Sequence, residues 1–175
     1  MKALITEIDK GILKQELNQN TFIRKTRKGD NEIYIINANN SPNTMKEIGR
    51  LRELTFRESG GGTGEEIDVD EFDFGEFCYE QLIVWSPEDE EIVGGYRFIC
   101  CQYAMDLKKD KIHLSTSHYF EFSDSFITQY LPHTIELGRS WIQPNCQGTI
   151  NPRKGLFALD NIWDGLGALI LRNPD

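Results

Sequence analysis

His133-Thr-Ile-Glu-Leu-Gly-Arg-Ser-Trp-Ile142 sets Glu136 and Arg139 on either side of Gly138, inside a run that otherwise reads as a buried strand. Burying a charge is costly unless it is paired and hydrogen-bonded. In a regular strand, positions three apart point to opposite faces. A bulge at Gly138 would bring Glu136 and Arg139 to one side, and strand bulges often mark places where a ligand meets backbone. The alternative is a structural ion pair at the rim of a sheet.

Upstream, Tyr79–Trp85 and Glu91–Cys101 read as two long strands joined by the turn Ser86-Pro87-Glu88-Asp89, with Arg97 inside the second. Thr21–Lys25 and Glu32–Asn37 form another hairpin around Lys28-Gly29-Asp30-Asn31. Ile5, Ile8, Ile12 and Leu17 recur at helical spacing, which predicts a helix over about residues 4–19. Ser41-Pro42 reads as an N-cap and first helical position, opening a helix to Glu58 with Met45, Ile48, Leu51 and Leu54 on one face. A short helix is expected near Ser123–Tyr130. A final helix runs from about Lys154 to Leu171, with Leu156, Leu159, Ile162, Trp163, Leu166, Leu169 and Ile170 expected inside. This mixed order with antiparallel hairpins predicts an α+β or mixed α/β sheet domain.

At 175 residues the chain suits one domain, 1–175, with a real core. A net charge of −9 argues against a general nucleic-acid binder but leaves room for a local basic patch. Cys78, Cys100, Cys101 and Cys146 form no C-x-x-C pair, and His113, His118 and His133 lack ligand spacing. Reduced, packed thiols and no metal are expected. The N-terminus meets charge too early for a signal peptide, and no apolar run is long enough to span a membrane, so a cytoplasmic setting is expected. Ser59-Gly60-Gly61-Gly62-Thr63-Gly64 is either a connector or a mobile lid; it lacks the Gly-Lys-Ser/Thr ending of a P-loop. The acids after it, Asp68, Asp70 and Asp73, break the register of a calcium loop.

Arg52-x-x-x-Phe56, Asp68-x-Asp70-x-x-Asp73, Gly94-Gly95-Tyr96-Arg97 and Glu136-x-x-Arg139 follow one another in an order that resembles the acyl-homoserine-lactone synthase signature. The same series resembles the ornithine- and glycine-type lipid N-acyltransferases, a group that also carries the hemolysin label. Both are GNAT-fold acyltransferases, and the resemblance covers about Met45 to Leu171. Phe72-Asp73, Gly94-Gly95-Tyr96-Arg97 and Glu136-Leu137-Gly138-Arg139-Ser140 look like the lipid branch. A tryptophan that lactone synthases carry before the acidic cluster is replaced by the glycine loop.

The resemblance implies a mostly antiparallel, twisted central sheet flanked by helices. It implies transfer of a fatty acyl group from an acyl carrier protein thioester to the amine of a small amino acid, glycine or ornithine, in aminolipid synthesis. No cofactor stays bound; the donor is the carrier's phosphopantetheine, with coenzyme A less favoured because Q/R-x-x-G-x-G/A is absent. Glu136 is the candidate base, with an amide near Gly138 and Arg139 at the thioester. Arg52, Phe56, Asp70, Asp73 and Arg97 shape the acceptor end. Arg153, Lys154 and Gly155, beside Asn151-Pro152, suit a phosphate at a helix start. Arg153, Lys154, Lys108, Lys109 and Lys111 are candidates for docking the acidic carrier. In this fold a further strand follows the last helix, so the chain reads as a fragment lacking it. The open sheet edge could then recruit a second copy, and activity of the fragment alone is doubtful. Peripheral membrane proximity fits a lipid product. The rivals are a lactone synthase using S-adenosylmethionine, a non-catalytic module whose acidic loop at 65–76 binds a cation or basic partner, and a membrane-active protein, which lacks a basic amphipathic helix.

Overall fold

In the computed structural model, which describes residues 1–106, 111–148, 150 and 152–173, the chain winds around one five-stranded sheet. The elements are α1 (Lys10–Glu16), β1 (Phe22–Lys25), β2 (Glu32–Ile36), α2 (Pro42–Glu58), β3 (Glu80–Ser86) and β4 (Glu91–Cys100). A two-residue pair follows, β5 (Met105–Asp106) and β6 (Lys111–Ile112), then α3 (Asp124–Gln129), β7 (Ile135–Ile142) and α4 (Pro152–Arg172). The sheet order is β1-β2-β3-β4-β7, and every neighbouring pair is antiparallel. This is the mixed α+β architecture the hairpins predict.

Alternation along the strands feeds two apolar layers. Ile33, Leu82, Val84, Tyr96 and Phe98 meet Ala158, Ile162, Ala168 and Leu169 of α4 on one face. Tyr34, Ile83, Trp85 and Trp141 meet Leu13 and Leu17 beside α1 and Met45, Ile48 and Leu51 of α2 on the other. A third cluster, with Phe72, Tyr79, Cys101, Leu114 and Leu131, lies beyond the end of β4.

β7 is bulged. Gly95 pairs with Trp141 and Arg97 with Gly138, so Arg139 and Ser140 together oppose Tyr96. Ile135 and Ile142 are an odd number of residues apart, yet both pack against the α4-side layer. Only the extra residue makes that possible. The bulge falls one residue later than the sequence suggests: Arg139, with φ 49°, takes the left-handed conformation, and Gly138 does not. Gly138 instead leaves space over Arg97, whose Nε would lie 3.6 Å from an added Cβ. A left-handed non-glycine residue costs on the order of 1–3 kcal/mol, offset here by the ion pairs of Arg139 described below.

Gly94 and Gly95 let β4 sit tightly between its neighbours. A Cβ at Gly94 would lie 2.4 Å from the Trp141 carbonyl oxygen, and one at Gly95 would lie 2.2 Å from the Leu82 carbonyl oxygen. Neither backbone can give without breaking the ladder. Gly95→Ala is expected to lower stability by about 1–3 kcal/mol, the usual cost of overpacking; urea denaturation measures it.

Three local expectations change. The first helix is only Lys10–Glu16, capped by Asp9 Oδ1, which accepts from the Gly11 and Ile12 amides at 2.9 and 3.2 Å. The isoleucines before it lie on non-helical chain, where the Ile5 amide reaches Glu66 and the Ile8 amide reaches Glu47. Ser41 holds the N-cap position of α2 without a capping bond; Glu16 of α1 does that work, accepting from the Asn43 and Thr44 amides at 3.1 and 2.7 Å. The glycine-rich loop is fastened rather than lid-like: buried Glu53 accepts from Thr63 N, Thr63 Oγ1 and Gly64 N at 2.9, 2.7 and 2.8 Å.

The outer stripe of α4 reverses expectation. Ile162 and Leu169 are buried, but Leu156, Leu159, Trp163 and Ile170 are exposed, Trp163 by 71%. Small residues make the approach to the sheet, and a Cβ on Gly165 would lie 2.6 Å from Leu82 Cδ2. The bulky side chains are left facing outward, next to β7, which is a terminal strand of the sheet.

Candidate active site

Three arginines and three aspartates from different elements meet on the α2 side of β4 and β7. Arg52, on α2, is fully buried. Its Nε donates to Asp68 Oδ2 at 3.2 Å, and its Nη1 and Nη2 donate to the two Asp73 oxygens at 3.2 and 3.4 Å. Arg97 Nη1 donates to Asp70 Oδ1 at 2.6 Å and lies 3.4 Å from Asp73 Oδ2. Arg139 Nε lies 3.1 Å from Asp68 Oδ2, and its Nη2 donates to Asp70 Oδ2 at 3.3 Å. Asp73 also accepts from Gln81 Nε2 and the Asp70 amide, both at 3.0 Å. The charges cancel within the cluster, which is how it tolerates burial. Burial pushes the Asp70 carboxyl up, but Arg97, the Phe72 amide and Arg139 together hold the group below its ordinary value.

This arrangement accounts for the broken calcium register: the acids are taken up by internal arginines. Among the described residues no group of His, Cys, Asp and Glu is placed to hold a metal ion. A solvated acidic binding loop does not describe Asp68 and Asp73, both buried.

Glu136 shares this side of β7 with Arg139, as the bulge requires, but the two do not pair. Its Oε1 accepts from Tyr79 OH and Ser115 Oγ, both at 2.5 Å, and its Oε2 accepts from Thr116 Oγ1. Burial pushes the carboxyl up, yet the Ser115, Thr116 and Tyr79 hydroxyls prevail and leave it below its ordinary value. Glu136 is therefore ionised across the neutral range. Arg97 links the two clusters, its guanidinium 5.0 Å from the centroid of the Tyr79 ring.

The opposite side of β7 holds an apolar groove of about 950 Å³. It follows β7 from Leu137 to Ile142 and is walled by Tyr96 and by Leu159, Ile162, Trp163 and Leu166 of α4. Gln147 and Gly148 also line it. The polar cluster and the groove thus occupy opposite faces of one strand and meet at its bulged edge. An apolar chain could lie in the groove while its polar head reaches the bulge, where an amine could approach from the Glu136 side.

The donor-end residues divide. Gly155 lines the groove and packs on the preceding loop; a Cβ there would lie 2.3 Å from the Gly148 amide nitrogen. Lys154 turns the other way, 2.6 Å from Asp89 and 3.5 Å from Glu91, and Arg153 lies over the Phe157 ring at 6.0 Å. Both line a separate cavity of about 340 Å³ beside the β3–β4 turn. Lys108, Lys109, Asn151 and the Lys111 side chain lie outside the described residues. Phe56 is not brought to the ion cluster; it packs with the apolar layer under α2. Sequence reasoning missed Tyr79, Ser115 and Thr116 altogether, because lone hydroxyls before and after strands look like any turn or strand end.

A bulged strand thus carries an ionised carboxylate on one side and an apolar groove on the other, on a five-stranded antiparallel sheet. In comparison with known proteins, the acetyltransferase (GNAT) domain family matches residues 51–153, and the chain belongs to that family. The chain is 51% identical over its whole length to a glycine N(alpha)-acyltransferase of Phocaeicola vulgatus, covering 54% of that protein. It is 52% identical to a glycine N(alpha)-acyltransferase of Bacteroides thetaiotaomicron, again over its whole length and covering 52% of the relative. The chain thus spans about half the length of the curated relatives it matches. No solved structure matches it. Among the described residues no helix is long and apolar enough to cross a membrane.

Proposed function

We propose that this chain is the acyl-transfer core of an N-acyltransferase that moves a fatty acyl group from the phosphopantetheine thioester of acyl carrier protein to the amine of glycine. The observation that carries this reading is the bulged edge of β7, where an apolar groove of about 950 Å³ meets the face bearing Glu136 and Arg139. Aminolysis of a thioester needs a neutral amine, a held carbonyl and a donor for the oxyanion. The groove holds the chain, Glu136 takes the ammonium proton directly or through a water, and outward-facing amides of the terminal strand serve the oxyanion. Glycine as acceptor rests on the two relatives named for it. The carrier protein as donor rests on the family resemblance and on the absence of the coenzyme A-type glycine loop.

The exposed stripe of α4 and the free edge of β7 belong to this reading as well. Both border the groove that the acyl chain would occupy. An aminolipid product would place the enzyme at the inner membrane face, in the cytoplasm.

The test is a transfer assay on the full-length protein with acyl carrier protein loaded with a long-chain acyl group and isotopically labelled glycine, read by mass spectrometry. Labelled N-acylglycine is expected, with at least about tenfold less from acyl-coenzyme A at equal concentration and from ornithine as acceptor. Acyl-homoserine lactone formed from added S-adenosylmethionine would favour the lactone-synthase rival. No acylated amine from any donor would defeat the proposal.

A further inference from the structure

We propose that Thr116, with Ser115 and Tyr79, is a positioning residue for acyl transfer: the three hydroxyls hold the Glu136 carboxylate in one orientation, charged, at the bulge of β7. The inference rests on the acyltransferase reading above and adds to it residues that neither the motif pattern nor the family match singles out.

The geometry is specific. Tyr79 and Ser115 both donate to Oε1 at 2.5 Å, and Thr116 donates to Oε2, so both oxygens are held. The Ser115 amide in turn donates to the Tyr79 oxygen at 2.9 Å, which strengthens the Tyr79 bond to Glu136. The three hydroxyls come from different places. Tyr79 precedes β3 and is fully buried; Ser115 and Thr116 begin a single 3-10 turn, Ser115–His118. A purely structural glutamate on a strand near a sheet edge would be expected to meet an arginine, and Arg97 and Arg139 are both close by. They pair with aspartates instead, and among the described residues Glu136 is held by neutral hydroxyl donors. A carboxylate held by hydroxyls keeps its charge and stays able to accept a proton, whereas a guanidinium partner would quench its basicity.

The titratable and charged groups facing Glu136 are few. Tyr79 is raised by burial and by Glu136. Cys101 is pushed up to about 11 by burial, so it remains a neutral thiol. Arg97 lies across the Tyr79 ring, and the tilted rings of His113 and His118 lie against Phe72, which meets Tyr79 edge-on. Arg97 pairs with Asp70 and Asp73, and among the described residues the hydrogen bonds made to the Glu136 carboxylate come from the three hydroxyls. The sign follows. Removing a donor to the charged form raises the Glu136 pKa, and the acidic limb of a rate profile that needs Glu136 ionised moves to higher pH.

The test uses the full-length protein, acyl carrier protein thioester and glycine, with kcat/KM followed against pH. Thr116→Val is expected to move the acidic limb up by about one pH unit and to lower kcat at neutral pH about tenfold, with KM for glycine within about twofold. Thr116→Ser, which keeps the hydroxyl, is expected to restore both. Tyr79→Phe removes a second donor to the same carboxylate and is expected to shift the limb in the same direction, so the idea stays testable if Thr116→Val fails to fold. An unmoved limb in the folded variants, or Thr116→Ser behaving like Thr116→Val, would overturn the positioning role while leaving wild-type transfer intact. Absence of transfer by the wild-type protein would instead remove the acyltransferase reading on which the role depends.

Discussion

Glu136→Gln is expected to leave a folded protein whose transfer of acyl groups to glycine is slower by about 10²–10⁴, the usual contribution of a positioned base. The fold should survive because glutamine keeps the shape of the side chain. Its amide oxygen can still accept from Tyr79 and Ser115, and the Thr116 hydroxyl can rotate to accept from the new amide hydrogens. What is lost is the single negative charge that the hydroxyls hold at the bulge. Circular dichroism and thermal melting close to wild type, together with a large fall in kcat, are the expected pair of results. Rates within a factor of about three of wild type would remove Glu136 as the base.

Arg52→Met should act in the opposite way, on folding before chemistry. Arg52 is fully buried and serves Asp68 and Asp73 at once, and removing it leaves three aspartates facing only Arg97 and Arg139, with a buried negative charge uncompensated. Breaking a buried pair in this manner costs roughly 3–5 kcal/mol, a large part of a domain's stability. Arg52→Lys should recover little of it, since a lysine cannot meet both oxygens of Asp73 while reaching Asp68. Urea midpoints measure both. A small loss for Arg52→Met would mean that the cluster is less dry than the structure shows. The contrast matters for interpretation: inactivity at Arg52, Asp68 or Asp73 would report collapse of the ion cluster, whereas inactivity at Glu136 with the fold intact would report lost chemistry.

Much of this was legible from the chain alone, for identifiable reasons. The helix Pro42–Glu58 is flagged by a proline at its first position and a clean apolar stripe, and its bounds match the structure. The hairpins are marked by Gly-Asp and Pro-Glu-Asp turns between alternating strands. The same-side placement of Glu136 and Arg139 follows from the cost of burying opposed charges on a strand, though the extra residue is Arg139 rather than its glycine neighbour. The final helix was harder. Apolar residues lie on more than one side of it, and their sum cannot say which side faces the sheet. Gly165 and Ala158 decide it, by permitting the closest approach, and leave Trp163 and Leu159 outside. The partners of the residues at the start of this helix were hidden for a related reason. Arg153 and Lys154 sit where a helix start would favour an anion, but nearby Asp89 and Glu91 capture Lys154, and that proximity exists only in three dimensions. The hydroxyl cage had no signal at all, because Ser115 and Thr116 are ordinary turn residues until the fold brings them to Glu136.

A crystal structure of the full-length protein with N-acylglycine bound would test the account at its centre. The account predicts the acyl chain in the groove between β7 and α4, the amide nitrogen on the Glu136 side, and the amide carbonyl at the backbone of residues 138–140. Product bound with its amide remote from Arg139 and Glu136, or a β7 that pairs without its extra residue, would contradict it.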